Sequence, residues 1–481
     1  MSDSEAPIIV WFRDDLRLTD QPALQAAARS GRPVVAVYVL DDQTPGDWVL
    51  GGASRWWLHH SLQALAASLH ALGVTLVLRR GRFFDCLKAL VEETGASALH
   101  CCRGYEPWVV ALEERLHEQL SPLNVAVKRY PGRLLFEPGR ITTGSGDTYK
   151  VFTPFWRACL RADPPKPPQA APEQLEAFVP TPASESLDDW ALLPTKPDWS
   201  TGFDPHWTPG EAGAMAALER FLESALDDYH EARDVPGERG TSRLSPHLRF
   251  GEISPRQVWQ LVANEVGGAI SDPRAEAYLR ELGWRDFNSH LLHAFPTIGE
   301  SAFKPQYDAF PWRDDAEGLR AWQRGQTGYP IVDAGMRELW QTGWMHNRVR
   351  MIVGSFLVKH LLLPWRDGED WFWDTLVDAD LANNAGGWQW AAGSGADAAP
   401  YFRIFNPTLQ GKKFDAKGTY VRHWVPEVAA LPDKYLHEPV AAPAKVMEEL
   451  GLVLGRDYPA PIVPHKLARE RALAALKHVT G

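Results

Sequence analysis

The sequence predicts an N-terminal α/β unit built on a doubly wound, parallel five-stranded sheet, then a long connector, then a C-terminal all-α unit. Three observations predict it. Up to about residue 130, short β-branched runs alternate with amphipathic stretches; residues 164 to 209 hold 11 of the 38 prolines; beyond about 210, apolar residues recur at spacings of three and four. Strands alternating with helices form parallel sheets, whereas a 3.6-residue period marks helices that bury one face.

Taken in order, "PIIVWF" (7–12), "PVVAVYVL" (33–40), "VTLVLRR" (74–80), "SALHCC" (97–102) and "VAVKRY" (125–130) are the expected strands. Helical patterns such as "WWLHHSLQALAASLHAL" separate them, and the α/β unit is assigned to 1–132. The first strand leads into "RDDLRLTDQPAL" and not into GxGxxG, which disfavours a nicotinamide-dependent redox enzyme. In the connector, 133–209, text such as "DPPKPPQAAPEQ" fixes φ and removes N–H donors, so only one or two helical turns are expected from 164 to 209. The last unit, 210–481, shows helical spacing in "AMAALERFLESALDDY", "PRQVWQLVANEV", "EAYLRELGWRDFNSHLL" and "RVRMIVGSFLVKHLLL".

Composition narrows the function classes. With 481 residues and 45% hydrophobic content, the chain can bury its core without staples. Cys86, Cys101, Cys102 and Cys159 show no CxxC spacing, so neither a zinc site nor a disulfide framework is indicated, and a reducing cytoplasm is expected. The start "MSDSEAPIIVWF" lacks a basic n-region, and no apolar run reaches the ~18 residues of a membrane span, so neither export nor a membrane partner is expected. A formal charge of -11 argues against a wholly basic surface but leaves room for one local basic face. Tryptophan, at 21 copies, outnumbers Phe and Tyr, and most of these indoles are expected to pack.

Candidate chemistry lies in the helical unit. In "ELGWRDFN", Glu281, Trp284, Arg285 and Asn288 fall at i, i+3, i+4 and i+7, one helical face carrying a carboxylate, an indole, a guanidinium and an amide. A solvated face is the ordinary explanation; a large aromatic among polar groups suits a pocket wall better. "WMHNRVRM" repeats the pattern with Asn347, Arg350 and Met351, and Trp344 one turn earlier. "GTSRLSP" (240–246) offers hydroxyls and N–H groups before a helix, either an anion seat or a plain N-cap. No HExxH and no GxSxG elbow is present, which disfavours a zinc hydrolase or a serine hydrolase.

Together, "VWFRDDLRLTDQPAL", "YKVFTPFW", "TSRLSPHL", "GWRDF", "TGYPIVDAGMRELWQTGWMHNRVRM" and "DADLANNAGGWQWAAGSGADAAPYFRIFNP" resemble the photolyase/cryptochrome family in motif order across nearly the whole chain. "LLPTKPDW", "WTPGE" and "PIVPHKLARERALAA" look most like the bacterial class III photolyases for cyclobutane pyrimidine dimers (CPD). The resemblance implies an antenna domain, a helical FAD-binding domain, UV-damaged DNA as partner, and light-driven splitting of the dimer by an electron from excited, reduced FAD.

By the same resemblance, Tyr229 and Thr241, Ser242, Arg243, Leu244 and Ser245 would hold the FAD phosphates, with Arg285, Trp344 and Asn347 also against the cofactor. Asp378, paired with Arg350, and Asp380 would hydrogen-bond the flavin or its ribityl part, and Asn384 would face flavin N5. Ala385 to Gly387 would let the backbone come close. Trp388, then Trp365, then Trp312 would carry a hole to the surface; Trp371 and Trp373 are a branch or plain packing. Glu281, Asn347 and Met351 would serve catalysis. Glu281, Trp284, Arg285, Asn288, Asn347, Trp390 and Arg403 would surround the flipped lesion, where stacking on indole contributes ~1–3 kcal/mol per base. Arg348, Arg403, Lys412 and Lys413 would form a basic rim.

Neighbours within the family separate on particular residues. Asn347 in "MHNR" stands where a (6-4) photolyase would show a second histidine, and Asn384 where a plant-type cryptochrome, the alternative, more often has aspartate; that group also carries a long tail, whereas this sequence ends soon after "ERALAALKHVTG". In "YEPWVVALEE", Trp108 and Val109 replace the Asn-Glu pair of class I folate sites. Class III resemblance implies 5,10-methenyltetrahydrofolate elsewhere, lined by Tyr38, Trp56, Trp57 and His60 unless these are sheet-helix packing. A monomer suits an enzyme that scans DNA.

Overall fold

The computed structural model describes residues 6–398 and 402–480; the acidic start at 1–5, residues 399–401 inside the last motif, and Gly481 lie outside the described residues. Five strands, β1 (Ile8–Phe12), β2 (Val34–Leu40), β3 (Leu76–Arg80), β4 (Ala98–Cys102) and β5 (Ala126–Tyr130), form one sheet in the order β3-β2-β1-β4-β5. All pairings are parallel. The expected doubly wound sheet is therefore present.

Alternation along the strands assigns the two faces. Ile8, Val10 and Phe12 of β1 pack with Leu24 of α1 (Pro22–Arg29) and Leu62 of α2 (Gly52–Ala71). Ile9 and Trp11 pack on the other side with Leu87 of α3 (Phe83–Thr94) and Leu116 of α4 (Pro107–Leu120). Covered on both sides, β1 and β2 are buried at every residue. The sheet reverses direction between β1 and β4, where doubly wound folds commonly take ligands. Here that crevice is filled: Arg13 donates to Cys102 O and, at 2.6 Å, to Glu113.

The edges are protected differently. β5 exposes Lys128 and Arg129. β3 is covered by the connector, where Glu185 N donates to Leu78 O at 3.0 Å and Leu78 N to Ser184 Oγ at 2.9 Å. From 164 to 209 the only helical element among the described residues is the turn Asp188–Trp190. Earlier, α5 (Phe152–Arg161) buries Phe152, Phe155, Trp156 and Cys159 from one face, so this part of the expected connector packs as a helix of the all-α unit.

The helical unit continues through α6 (Glu211–Ser224), α7 (Tyr229–Ala232), α8 (Ser245–Arg249), α9 (Pro255–Glu265) and α10 (Pro273–Ala294). It then runs through α11 (Ala316–Gln323), α12 (Pro330–Thr342), α13 (Asn347–Ser355), α14 (Trp365–Thr375) and α15 (Leu381–Ala392), with further helices to Thr480. Local signals set their ends. Asp272 caps α10 ahead of Pro273, Asp380 caps α15, and Gly343 ends α12 at φ 68. The stretch expected as one helix from 348 to 363 divides: α13 ends at Ser355, and Phe356–Leu361 widens to π-helical bonding before Leu362 turns left-handed at φ 57.

Arg17, 1% exposed, ties the units together by donating to Asp20 O at 2.8 Å, Gly132 O at 2.9 Å and Gly251 O at 2.8 Å. Arg249 pairs with Asp14 at 2.6 Å nearby. No helix among the described residues is long and apolar enough to cross a membrane.

Candidate functional site

A cavity of about 610 Å³ opens within the helical unit, inside the roughly 300–1,000 Å³ range of ligand pockets. α10 forms one wall. Its spacing brings Glu281, Trp284, Arg285 and Asn288 to the cavity together, while Gly283, on another side of the helix, leaves room for the Trp156 ring, which an added Cβ would overlap at 2.4 Å. Trp284 stacks on Phe152 with centroids 3.7 Å apart and planes at 8°. Arg285 turns to backbone carbonyls, donating to Arg133 O and to Leu248 O at 3.2 Å; burial pulls its pKa down.

A second wall comes from the start of α13. Asn347, Arg350 and Met351 line the cavity, but Trp344 reaches it from the turn after α12 and not from an earlier turn of the same helix, because His346 caps α13 and the helix starts only at Asn347. Trp344 Nε1 donates to Ser245 Oγ at 3.1 Å. Arg350 donates to Asp378 Oδ2 at 2.8 Å, as the sequence pairing anticipates; Asp378 Oδ1 is buried without a hydrogen-bond partner. A buried carboxylate oxygen left bare on a cavity wall is suited to a donor from a ligand.

α15 supplies the third wall. Asp380 accepts from Asn383 N at 2.9 Å and Asn383 Nδ2 at 2.7 Å, and Asn288 Nδ2 reaches Asn383 Oδ1 at 2.9 Å, a relay that locks α10 to α15. Asp380, Asn384, Trp388 and Trp390 face the cavity. Of the Ala385–Gly387 step, Ala385 is fully buried away from it. Gly386 admits Asn288, whose Oδ1 would lie 2.7 Å from an added Cβ; Gly387 faces open space. The close approach therefore serves helix packing at Gly386 and leaves the cavity clear at Gly387. Asn384 Nδ2 donates to Glu369 O at 3.0 Å. The Glu369 carboxyl has no partner, and burial raises its pKa well above the usual carboxylate range.

Tyr229, Thr241, Ser242, Arg243, Leu244 and Ser245 close the far side. The N-cap of the five-residue α8 is Leu244, with no side-chain cap, so the plain N-cap explanation of this motif fails. Arg243 adopts φ 54, an uncommon conformation for a residue with a side chain, and sets its guanidinium 4.6 Å from the Trp344 ring centroid. No carboxylate is within ion-pair range of it among the described residues. An unpaired cation beside three hydroxyls, opposite a bare Asp378 oxygen, fits a flavin dinucleotide with its diphosphate at this end.

The tryptophans differ in depth. Trp388 is 3% exposed, packs on Gly368 where a Cβ would overlap its ring at 2.1 Å, and lies 5.0 Å from Phe372 and 6.0 Å from Trp322. Trp365 is buried and Trp312 half-buried, both outside the cavity wall. Trp373 donates to Val49 O at 2.7 Å, and Trp371 stacks on the exposed Trp340.

Some expected residues stand apart. Arg403 is exposed and does not line the cavity; its carbonyl accepts from Lys359 Nζ. Lys412 pairs with Glu438 at 3.1 Å, and Lys413 lies against the Phe414 ring. The antenna set divides. Tyr38 and Trp57 are core residues, Tyr38 packed by Trp190 and Trp57 held by a 3.0 Å bond to Glu252 and by Trp207, and neither borders the two cavities described for this protein. Trp56 and His60 do border a separate groove with Asp204 and Trp207. Two mouth residues were absent from the sequence expectations: Arg233, which binds Glu281 at 2.6 Å, and Asp234, which binds Arg348 at 2.7 Å. These pairings span 48 and 114 residues, beyond any local pattern.

Comparison with known proteins gives full-length matches. The family described as "DNA photolyase" matches residues 8–173, and "FAD binding domain of DNA photolyase" matches residues 278–478. A deoxyribodipyrimidine photo-lyase of Agrobacterium fabrum is 52% identical over 99% of this chain and 98% of its own. The crystal structure of a bacterial class III photolyase from Agrobacterium tumefaciens superposes with a TM-score of 0.95 at 52% identity, covering 99% of this chain and 98% of that one. Cryptochrome-1 of Arabidopsis thaliana is 38% identical over 98% of this chain and 70% of its own.

Proposed function

The chain belongs to the DNA photolyase family, and on that premise we propose that it is a deoxyribodipyrimidine photo-lyase that repairs cyclobutane pyrimidine dimers in UV-damaged DNA with light. One observation carries the reading: a single cavity is lined by Asp378, anchored by Arg350, by Arg243 with the hydroxyls of Thr241, Ser242 and Ser245, and by Glu281, Trp284, Asn288, Asn347 and Trp390. FAD, held by these residues, would supply the photochemical electron that opens the cyclobutane ring and would take it back, with no net redox change.

The protein's residues position and polarise. Arg350 orients Asp378, so its bare oxygen would accept from the flavin edge, and Arg243 with Thr241, Ser242 and Ser245 would hold the diphosphate. Asn384 offers an amide to flavin N5 without adding a charge. Trp284, braced by Phe152, and Trp390 stack on the extruded bases. Glu281 and Asn347 hydrogen-bond the dimer carbonyls and stabilise negative charge there, with Met351 packed beside them. Trp388, Trp365 and Trp312 would supply the electron that photoreduces oxidised flavin, passing the hole outward.

Trp56 and His60 support methenyltetrahydrofolate as an antenna, seated in the groove they border. The protein works as a cytoplasmic monomer in this reading. Its test is the yield of intact thymines from an oligonucleotide with one dimer, in blue light and in darkness. Repair that needs light and falls about 10- to 100-fold in Glu281→Ala supports the proposal. Flavin photoreduction without repair would put a cryptochrome-like photoreceptor in its place.

A further inference from the structure

Two arginines at the cavity mouth are each held by a carboxylate. Arg233 Nη1 contacts Glu281 at 2.6 Å, and Arg348 contacts Asp234 through Nη2 at 2.7 Å and Nε at 3.2 Å. Arg348 is further steadied by the Phe414 ring, 4.4 Å from its guanidinium carbon, and by Met351 Sδ at 3.6 Å. Both arginines line the cavity, and the Asp234 side chain is 36% exposed. Of the two acids, Glu281 lines the cavity and Asp234 does not.

We infer that Asp234 competes with DNA phosphates for Arg348 and so limits how much of the protein's DNA affinity comes from the backbone. The inference rests on the DNA-repair reading. The side chains in this pair are 20% and 36% exposed, so the bond is half in solvent, where ion pairs are weak. A phosphate offers the same fork two acceptor oxygens and can take it over. Backbone contacts carry no information about damage, and each releases counterions, so every arginine withheld lowers affinity for undamaged duplex. Holding Arg348 through two N–H bonds to the single Asp234 Oδ1 keeps its head at the mouth, ready for transfer, without leaving a free cation to adhere to any DNA.

The experiment measures binding of FAD-loaded protein to one duplex, undamaged or carrying a single cyclobutane dimer, across a salt series. Asp234→Asn is expected to bind the undamaged duplex more tightly, with a log–log salt slope steeper by about 0.9, the increment for one newly neutralised phosphate. Asp234→Glu restores the carboxylate and should keep the wild-type slope. Glu231→Gln removes the same charge at a neighbour whose 85% exposed side chain pairs with His230, and should also keep it. An unchanged slope in Asp234→Asn, weaker binding by it, or an equal effect of Glu231→Gln would overturn the inference. Flavin content of each variant reports folding. The DNA-repair reading fails in a separate arm, through a wild-type protein that does not distinguish the two duplexes.

Discussion

Glu338 lies behind the cavity wall, 3% exposed, and accepts from Tyr420 Oη at 2.7 Å and from His346 N at 3.2 Å, so it fixes the turn from which α13 springs. Burial pushes its pKa up to about 7 from 4.5. The folded state therefore holds a proton that the unfolded state releases. Stability associated with this group is complete below about 4.5 and is lost as pH rises through about 7. Glu338→Gln keeps both acceptor bonds without the ionisation. It is expected to match wild type at acid pH and exceed it at alkaline pH by at most ~3 kcal/mol, measured by denaturant unfolding at the two pH values. At this scale the sequence was informative where roles share one helix face, as with Glu281, Trp284, Arg285 and Asn288. It was silent where a role depends on partners far along the chain, as with Arg233, Asp234 and Glu338 itself, whose burial outweighs the hydrogen bonds from Tyr420 and His346.

Among the elements, α14 and α15 set the place of Trp388. Gly368 is the contact point, since a Cβ there would sit 2.1 Å from the indole. Gly368→Ala must push Trp388 toward the cavity, an overpacking expected to cost ~1–3 kcal/mol in unfolding free energy. FAD retention and the rate of flavin bleaching under anaerobic blue light are both expected to fall, whereas Trp312→Phe, remote from the cavity, should slow photoreduction and leave retention intact. Helix positions were legible from apolar spacing. The π-helical stretch was not, because Phe356–Leu361 carries the same apolar spacing as the α-helix before it. Nor was the role of Trp57: "WW" in a helix beside a sheet reads equally as lining or as core, and only the bond to Glu252 and the Trp207 contact decide for core.

At the level of the whole molecule, the chain is held as one body by groups that no pattern announces. Arg17 is buried between the α/β unit and the helical unit with three carbonyls around it. Arg17→Met leaves those acceptors without a donor, and a loss of ~3–5 kcal/mol is expected. Calorimetry should show the single transition of wild type separating into two as the units unfold independently. The sheet order could be anticipated from strand–helix alternation, since right-handed crossovers leave few alternatives. The filled crevice at β1 and β4 could be anticipated only in part: the missing glycine fingerprint signals it, but Arg13 reaching Cys102 and Glu113 depends on the assembled sheet.

The cover that the connector lays over β3 makes the protein's colloidal behaviour depend on an uncut chain. Unpaired strand edges template association between molecules, and β3, unlike β5, has Leu76, Val77 and Leu78 buried along it where Lys128 and Arg129 project from the other edge. A nick in the proline-rich stretch would spare every residue of the cavity and still strip that edge. In limited proteolysis, light scattering is therefore expected to rise before flavin absorbance is lost, and ageing preparations would fail first as particles, while each surviving molecule remained photochemically competent.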